Sequence, residues 1–388
     1  MIVPVLRGTA MPHVAIIGGG IIGLSVAWRL AQRGCRVSVF DAGAPGQGRG
    51  CVAATWASAG LLAPGVEAEP TEDALHALCV RSLSLWKAFA CDLEAAAHVP
   101  LDFREHGALV VALTRDDVRR LEHAHSYHER LGTNQRWLTR AEVGAMEPDL
   151  AATVLSARQL PDDRQVDPRA VLVALRDVLL ASGVTIHQQR IDGVSLDGEQ
   201  PRVVGHELDF PADYVVVAAG AWSRQLTGIP EPWRPAVHPV KGQMLSAEMP
   251  NAAALLRHAV FTPRVYLVPR SSGRLLVGAT VEDRGFDDSV TAGGLLHLLD
   301  GAWRVLPAIE EARIVETWCG FRPGSRDDAP LLGFRDERLV YATGHHRNGI
   351  LLAPATAEAI ASTICDQVEP EWIRAFAPDR FDEVPAAP

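Results

Sequence analysis

Residues 343–356, Thr-Gly-His-His-Arg-Asn-Gly-Ile-Leu-Leu-Ala-Pro-Ala-Thr, combine groups that could bind an anion. A strand-like run, 338–342, leads into this glycine-bracketed turn, and an apolar, helix-like run follows it. The turn contains two histidines, an arginine and an asparagine. The N–H groups at a helix start attract negative charge, as does an arginine. The turn is therefore predicted to bind an anion, or a cofactor edge that becomes negative during a reaction.

A glycine loop near the other end of the chain has the spacing of a dinucleotide-binding motif. Gly18, Gly20 and Gly23 stand between a predicted strand, 13–17, and a predicted helix. These glycines permit, in turn, a tight turn, close approach of a pyrophosphate, and close packing of helix on strand. Asp41 ends the second predicted strand, where its carboxylate can accept hydrogen bonds from ribose hydroxyls. An acid there favours FAD or NAD over NADP, and FAD is favoured because two distant segments resemble cofactor loops.

The elements around these motifs predict two kinds of sheet. Residues 13–41 are predicted to form a βαβ unit, with 184–187 and 214–219 as further strands of the same buried sheet. Residues 237–280 alternate short β segments with Pro and Gly, which is typical of antiparallel sheet. The expected fold class is α/β, a Rossmann-like FAD-binding domain interleaved with an antiparallel-sheet α+β substrate domain. The predicted division is 11–80, 150–225 and 320–388 for the FAD-binding domain, and 81–149 and 226–319 for the substrate domain.

Composition limits the classes of partner. The net charge of −10 and pI of about 5.8 argue against nucleic acid and anionic membranes as main partners. The chain has no run of eighteen or more apolar residues, so no membrane span is predicted. The first ten residues are too weakly apolar for a secretory signal, and translation could start at Met1 or Met11. The six cysteines are predicted to be reduced thiols of a cytoplasmic protein; they are Cys35, Cys51, Cys79, Cys91, Cys319 and Cys365.

Short motifs along nearly the whole chain resemble FAD-dependent amine and D-amino-acid oxidases. These motifs are 17–23, 59–64, 220–223, 239–243, 266–270, 277–280, 320–324 and 344–350. Within that superfamily, which includes the sarcosine oxidases, the chain most resembles the glycine oxidases of bacterial thiamine biosynthesis. The resemblance implies FAD-dependent oxidative deamination of glycine to the imine or 2-oxo acid, with O2 reduced to H2O2. Sarcosine and small D-amino acids are implied as further substrates, and a homo-oligomer as the assembly.

The resemblance also implies which residues form the site. Arg322 and Arg347 would bind the substrate carboxylate, with Tyr266 on the same wall, because a guanidinium fork matches a carboxylate. No catalytic acid, base or metal ligand is predicted. The implied cofactor contacts are Gly18, Gly20, Ile21, Ile22, Gly23, Asp41, Ala42, Ala54, Thr55, Ala59, Gly60, Leu61, Ile191, Gly220, Trp222, Gly344, His345, His346, Arg347, Asn348, Gly349, Ile350 and Leu351.

Some positions depart from the family pattern. His346 stands where relatives usually have Tyr or Phe, and Arg264 and Val281 are unusual near the substrate. These departures leave substrate preference open. Cys319 precedes the 320–324 motif, and related sarcosine oxidases attach their flavin through a cysteine near this region. Noncovalent FAD is favoured, because glycine oxidases hold FAD noncovalently.

Two other functions remain open from the sequence. A D-amino-acid or secondary-amine dehydrogenase would pass its electrons to a quinone rather than to O2. A protein without enzymatic activity, such as an FAD-stabilised subunit or scaffold, would bind the cofactor without reducing it. Peroxide production under air and substrate-driven loss of flavin colour separate these alternatives from an oxidase.

Overall fold

The computed structural model of the protein describes residues 11–48, 52–250 and 255–382. The predicted start at Met1 and the predicted thiol Cys51 lie outside these ranges. No helix in the described ranges is long and apolar enough to cross a membrane.

The described residues form both strands and helices, and runs of consecutive strands occur between some of the helices. The strands are β1 (His13–Ile17), β2 (Arg36–Asp41), β3 (Leu61–Leu62), β4 (Ala108–Ala112), β5 (Arg136–Thr139), β6 (Ser156–Leu160), β7 (Arg164–Gln165), β8 (Thr185–Gln188), β9 (Ile191–Ser195), β10 (Arg202–Gly205), β11 (Leu208–Pro211), β12 (Tyr214–Val217), β13 (His238–Glu248), β14 (Ala259–Phe261), β15 (Tyr266–Pro269), β16 (Arg274–Gly278), β17 (Arg313–Gly324), β18 (Leu331–Asp336) and β19 (Leu339–Thr343). The α-helices are α1 (Ile21–Gln32), α2 (Ala54–Ala57), α3 (Pro64–Glu67), α4 (Asp73–Ala97), α5 (Arg115–Arg130), α6 (Arg140–Met146), α7 (Pro168–Ala181), α8 (Ala292–Val305) and α9 (Ala353–Cys365). Short 3-10 turns are Gly220–Gln225, Glu231–Trp233, Pro307–Glu311, His346–Asn348 and Glu371–Phe376.

The first large sheet has six strands in the order β18-β19-β12-β1-β2-β8. All neighbours in it are parallel except the pair β18 and β19. The apolar run of β1 is buried because strands cover both its edges and helices cover the sheet. The predicted βαβ unit at 13–41 is present as β1, α1 and β2.

One apolar core lies between this sheet and helices α1, α4, α7 and α9. Trp86 and Phe89 of α4 are fully buried in it, and Trp28 of α1 packs edge-on against Phe89. Burying a large apolar side chain contributes about 1.5–3 kcal/mol. Helix α4 therefore belongs energetically with the six-stranded sheet.

The second large sheet has eight strands in the order β17-β13-β16-β15-β14-β4-β6-β5. Its pairs are antiparallel apart from β14 with β4. The long strands β13 and β17 pair along nearly their whole length, and α8 packs on the sheet through Leu298, Ala302 and Val305. The predicted fold class, a parallel nucleotide-binding sheet interleaved with an antiparallel one, is confirmed.

Two sequence-based boundaries differ from the way the elements pack. Strand β6 joins the eight-stranded sheet, although residues from 150 onwards were assigned to the FAD-binding domain. Helix α4 packs on the six-stranded sheet, although residues from 81 onwards were assigned to the substrate domain. Local patterns predict that a segment is a strand or helix but not which distant sheet it joins. We propose that the division into an FAD-binding and a substrate domain follows the two sheets.

Candidate functional site

A cavity of about 580 Å³ is lined by residues of both large sheets. The glycine loop and Asp41 line it from the six-stranded sheet, and Tyr266 and Arg322 line it from the eight-stranded sheet. The turn after β19 contributes further wall residues, 345–350. A cavity of this volume falls within the range of cofactor and substrate pockets.

The glycine loop has a shape that other residues could not adopt. Gly18 has a φ of +116°, and a Cβ added there would lie 2.2 Å from the carbonyl oxygen of Ala218. A Cβ on Gly23 would lie 1.9 Å from the carbonyl oxygen of Gly18. The loop therefore brings the start of α1 close to the ends of β1 and β12. The backbone N–H of Ile21 donates to Thr55 Oγ1 at 3.0 Å, which satisfies one N–H of the helix start.

Asp41 holds the end of β2 against the glycine loop. Its carboxylate accepts hydrogen bonds from the backbone N–H groups of Gly19 and Gly43. Burial raises the pKa of the Asp41 carboxyl, and these two backbone N–H groups oppose that rise. Asp41 also lines the cavity, so its carboxylate edge is available to accept hydrogen bonds from ligand hydroxyls.

The turn that follows β19 differs from the predicted helix start. Helix α9 begins at Ala353, inside the apolar run rather than directly after the turn, because Pro354 fits only the first turn of a helix. A 3-10 turn, His346–Asn348, comes before it. Within the described ranges, the backbone N–H groups of Gly349–Leu351 have no hydrogen-bond acceptor. These N–H groups still suit negative charge, although an irregular turn presents them instead of a helix end.

His345 lies in the same turn and is neutral. It is buried, and its Nε2 lies 3.0 Å from Thr356 Oγ1 in α9. Burial lowers the pKa of His345 to about 3. A buried neutral imidazole of this kind makes the folded state sensitive to acid.

Replacing His345 with glutamine is expected to reduce the loss of stability in acid. The unfolded chain protonates this histidine below its ordinary pKa of 6.5, whereas the folded protein does so only near 3. Its contribution to the free energy of unfolding therefore falls by up to about 1.4 kcal/mol per pH unit between these values. Denaturant titrations between pH 7 and pH 4 measure the slope, with the exposed His123→Gln as control. Equal slopes for wild type and His345→Gln would contradict this account.

Arg322 presents a guanidinium to the cavity. Its Nη1 donates to the carbonyl oxygen of Thr280 at 3.2 Å, and its head group lies against the backbone of Gly242. No carboxylate of the described residues lies within 4.0 Å of it. Burial raises the pKa of the neighbouring Tyr266, and the charge of Arg322 opposes that rise. A guanidinium without a carboxylate partner, beside a phenol, is suited to bind a carboxylate ligand.

Arg347 lies in a different setting, because its guanidinium pairs with carboxylates of this chain; its contact with the substrate carboxylate stays a prediction. Its Nε lies 2.7 Å from Glu67, and its Nη2 lies 3.1 Å from Glu72 and 3.4 Å from Glu69. Burial raises the pKa of Glu67, and the charge of Arg347 opposes that rise. No motif connects these ion partners, because the three acids lie about 275–280 residues before the arginine. Arg347 therefore closes the cavity wall by binding carboxylates of this chain.

Most predicted cofactor contacts line the cavity, but three do not. Within the described ranges, Gly23, Gly344 and Leu351 are absent from its wall. Gly23 instead packs against the glycine loop, and the Leu351 carbonyl accepts hydrogen bonds from Ser82 and Trp86. The predicted residues that do line it are Gly18, Gly20, Ile21, Ile22, Asp41, Ala42, Ala54, Thr55, Ala59, Gly60, Leu61, Ile191, Gly220, Trp222, His345, His346, Arg347, Asn348, Gly349 and Ile350.

The residues that departed from the family pattern lie in different settings. His346 lines the cavity and has its Nδ1 3.1 Å from Asp328, and burial lowers its pKa to about 4. Val281 also lines the cavity, whereas Arg264 pairs with Asp300 at the surface. Cys319 is buried and donates to the carbonyl oxygen of Asp288.

Further wall residues were missed from the sequence. Among these are Glu67, Arg190, Gln225, Met244 and Phe321. Of these, only Phe321 lies within a family motif, and three-dimensional packing brings the others to the cavity. A cluster of acids between 67 and 72 was the one signal present, because it offered partners for an arginine.

The residues present fit FAD, the cofactor expected from the sequence. The glycine loop packs so closely on Ala218 and on itself that Gly18 and Gly23 have no room for a Cβ, and Asp41 offers a carboxylate at the end of β2. Thr55 and Ala59 continue the wall from the glycine loop, and Tyr266 belongs to the same cavity. Within the described ranges, Cys319 is not part of the cavity wall, which supports noncovalent binding of FAD.

A family model described as FAD dependent oxidoreductase matches residues 13–363. The chain is 36% identical over 362 residues to a glycine oxidase of Geobacillus kaustophilus, covering 90% of this chain and 92% of that protein. The crystal structure of glycine oxidase from Geobacillus kaustophilus matches with a TM-score of 0.87 at 33% identity, covering 96% of this chain and 99% of that chain. The chain is also 34% identical over 380 residues to a bifunctional protein ThiO/ThiG of Trichormus variabilis, covering 95% of this chain. It spans 55% of that bifunctional protein's length.

Proposed function

The chain belongs to the family of FAD-dependent oxidoreductases, and on that premise we propose that it oxidises glycine with O2. The main support is Arg322, a cavity-wall guanidinium without a carboxylate partner among the described residues. An amino acid has the carboxylate that such a group binds. The similarity to glycine oxidases supports glycine as the amino acid.

Arg322 and Tyr266 orient the substrate in this proposal. A two-point contact between the guanidinium and the carboxylate fixes the position of the α-carbon. Tyr266 lines the wall beside Arg322 and limits the space around the substrate. When bound, FAD supplies the redox chemistry by accepting a hydride equivalent from the α-carbon. No general base is required if the amine binds in its neutral form.

In this proposal, groups of the cavity wall also stabilise negative charge on the ligand and neutralise Arg347. The backbone N–H groups of Gly349 and Ile350 stabilise negative charge on the part of the ligand that they face. Glu67 and Glu72 neutralise Arg347, so that one free guanidinium rather than two selects the carboxylate position. His346 and Val281 border the same space and so influence substrate preference.

The proposal also covers the products of the reaction, its further substrates and its link to thiazole synthesis. Glycine gives the imine, which hydrolyses or passes to thiamine thiazole synthesis, and O2 gives H2O2. Sarcosine and small D-amino acids are further substrates. The similarity to a bifunctional protein ThiO/ThiG supports the link to thiazole synthesis.

The substrate series tests the proposed reaction. We expect the purified yellow protein to release H2O2 under air with glycine, and with sarcosine, D-alanine or D-proline at lower kcat/KM. A peroxide-coupled assay measures the release, with catalase as control. Loss of flavin colour without peroxide would instead indicate a dehydrogenase, and no loss of colour with any amine would contradict an enzyme of this class.

We also propose a cytoplasmic homo-oligomer. The described cysteines are all free thiols, a state that the cytoplasm maintains. On α8, Leu296, Leu299 and Trp303 are exposed at helical spacing and offer an apolar face for a second copy. Light scattering of the purified protein measures the oligomeric state, and a monomer at high concentration would contradict this part.

A further inference from the structure

Two cysteines from opposite ends of the chain lie side by side. Cys35 directly follows the turn after α1, and Cys365 is the last residue of α9. Their Sγ atoms are 3.4 Å apart, although 330 residues separate them in the sequence. Cys35 is buried and Cys365 is half-buried, so a small oxidant can reach the second thiol. The function proposed above uses neither residue.

The surroundings of the two thiols are unequal. The hydrogen bond between Cys35 and Cys365 and the positive charge of Arg33 lower the pKa of Cys365 to about 7. The same hydrogen bond, together with burial, raises the pKa of Cys35. Arg33 is held in place by an ion pair with Asp366 at 2.7 Å. Because Cys365 is also the more exposed of the two thiols, we expect peroxide to reach and oxidise it first.

The other described cysteines lack these features. Cys79 is buried, and burial raises its pKa. Cys319 is also buried, and its Sγ donates to the carbonyl oxygen of Asp288. Cys91 is exposed on α4, and within the described ranges it has no cysteine neighbour. Only the pair of Cys35 and Cys365 combines a second sulfur, a cation and partial access among the described thiols.

We propose that Cys35 and Cys365 form a reversible disulfide when the protein meets hydrogen peroxide. The Cys365 thiolate attacks one peroxide oxygen, the O–O bond breaks, and the departing hydroxide takes a proton to become water. Cys35 then attacks the sulfur of the resulting sulfenic acid, which breaks the S–O bond and releases a second water. Two thiols and one H2O2 thus give one disulfide and two waters. Rotation of the side chains brings the sulfurs from 3.4 Å to bonding distance, about 2.05 Å.

The cross-link would join α1, which borders the cavity, to α9, which follows the turn that lines the cavity. Helix α1 begins at the glycine loop, and α9 follows the turn that contains His345. These two helices pack against each other within the first core. A disulfide that closes a loop of this length restricts the unfolded chain strongly. We therefore expect oxidation to raise the Tm of the holoenzyme without lowering its activity.

The inference rests on the proposed function only for the source of the oxidant, because the proposed reaction releases hydrogen peroxide. An enzyme that releases H2O2 exposes its own thiols to it. Added peroxide supplies the same oxidant without turnover. The disulfide and the oxidase activity can therefore fail independently.

Mass spectrometry of the peroxide-treated holoenzyme tests the disulfide. After alkylation of remaining thiols and digestion without reductant, we expect a linked peptide pair containing Cys35 and Cys365 that dithiothreitol removes. Cys35→Ser should accumulate a sulfenic acid at Cys365 that dimedone labels. Cys365→Ser should leave Cys35 unlabelled, and the control Cys91→Ser should form the same link as wild type.

Three outcomes would overturn the inference. The first is a linked peptide pair that involves other cysteines, and the second is the absence of any linked pair after peroxide treatment. The third is that dimedone labels Cys35 in the Cys365→Ser variant as strongly as it labels Cys365 in the Cys35→Ser variant. A second arm replaces added peroxide with glycine in air, with and without catalase. If added peroxide forms the link but glycine does not, the proposed function is contradicted, whereas the inference that the two cysteines form a disulfide still holds.

Discussion

Replacing Arg322 with alanine is expected to abolish most glycine oxidation while the protein stays yellow. Arg322 lies in β17 and contacts Thr280 and Gly242, away from the glycine loop, so FAD should still bind. Two charge-assisted hydrogen bonds to a carboxylate contribute about 1.5–3 kcal/mol each. Their loss should lower kcat/KM for glycine by roughly 10²- to 10⁴-fold, since 1.4 kcal/mol corresponds to a factor of ten. Steady-state peroxide assays measure the change.

Two further variants make the Arg322 test specific. Arg313→Ala removes an arginine from the same strand, β17, where the side chain is 76% exposed and pairs with Glu248. It should leave kcat/KM unchanged, because surface ion pairs contribute little. Arg322→Lys should give an intermediate loss, because an ammonium keeps the charge but lacks the planar fork. A larger loss of kcat/KM in Arg347→Ala than in Arg322→Ala would show that Arg347, and not Arg322, binds the substrate carboxylate.

Replacing Gly18 with alanine is expected to give protein without FAD. The new Cβ would lie 2.2 Å from the carbonyl oxygen of Ala218, and the φ of +116° strains any side chain. The loop can relieve this contact only by moving away from β12, which opens the wall that the pyrophosphate approaches. The absorbance ratio of flavin to protein measures the occupancy, and it should fall to near zero.

A variant at a second glycine with positive φ distinguishes the effect of backbone strain from the effect of a steric clash. Gly183 has a φ of +83°, but a Cβ added there would have nothing within 4 Å. Gly183→Ala should cost about 1–2 kcal/mol of stability through the left-handed backbone and keep FAD fully bound. Circular dichroism melts of both variants confirm that each is folded. Full flavin occupancy in Gly18→Ala would contradict the place of this loop in the cofactor site.

The parts of the fold that local patterns encode could be predicted from the sequence. The βαβ opening and the acid after β2 follow from strand, glycine and helix signals within thirty residues, and the structure has them at 13–41. The pairing of β6 with β4 and β5 could not be predicted, because tertiary packing rather than a local pattern sets it. The start of α9 was placed too early, since the 3-10 turn before it resembles a helix in sequence.

The candidate site divides in the same way. Asp41 and the glycine loop were found by motif, and Tyr266 and Arg322 by resemblance, and all of these line one cavity. The ion pairs of Arg347 could not be predicted, because its partners Glu67, Glu69 and Glu72 lie in a distant segment. A sequence shows the charge of an arginine but not whether a carboxylate of the same chain already binds it.

Anaerobic titration of the flavin absorbance with glycine tests the central claim most directly. The cavity is proposed to hold FAD and to bind the glycine carboxylate at Arg322. Wild-type protein should lose its yellow colour completely as glycine is added, and Arg322→Ala should keep its colour at the same concentrations. Wild-type flavin that remains oxidised at saturating glycine, or equal bleaching of both proteins, would contradict the claim.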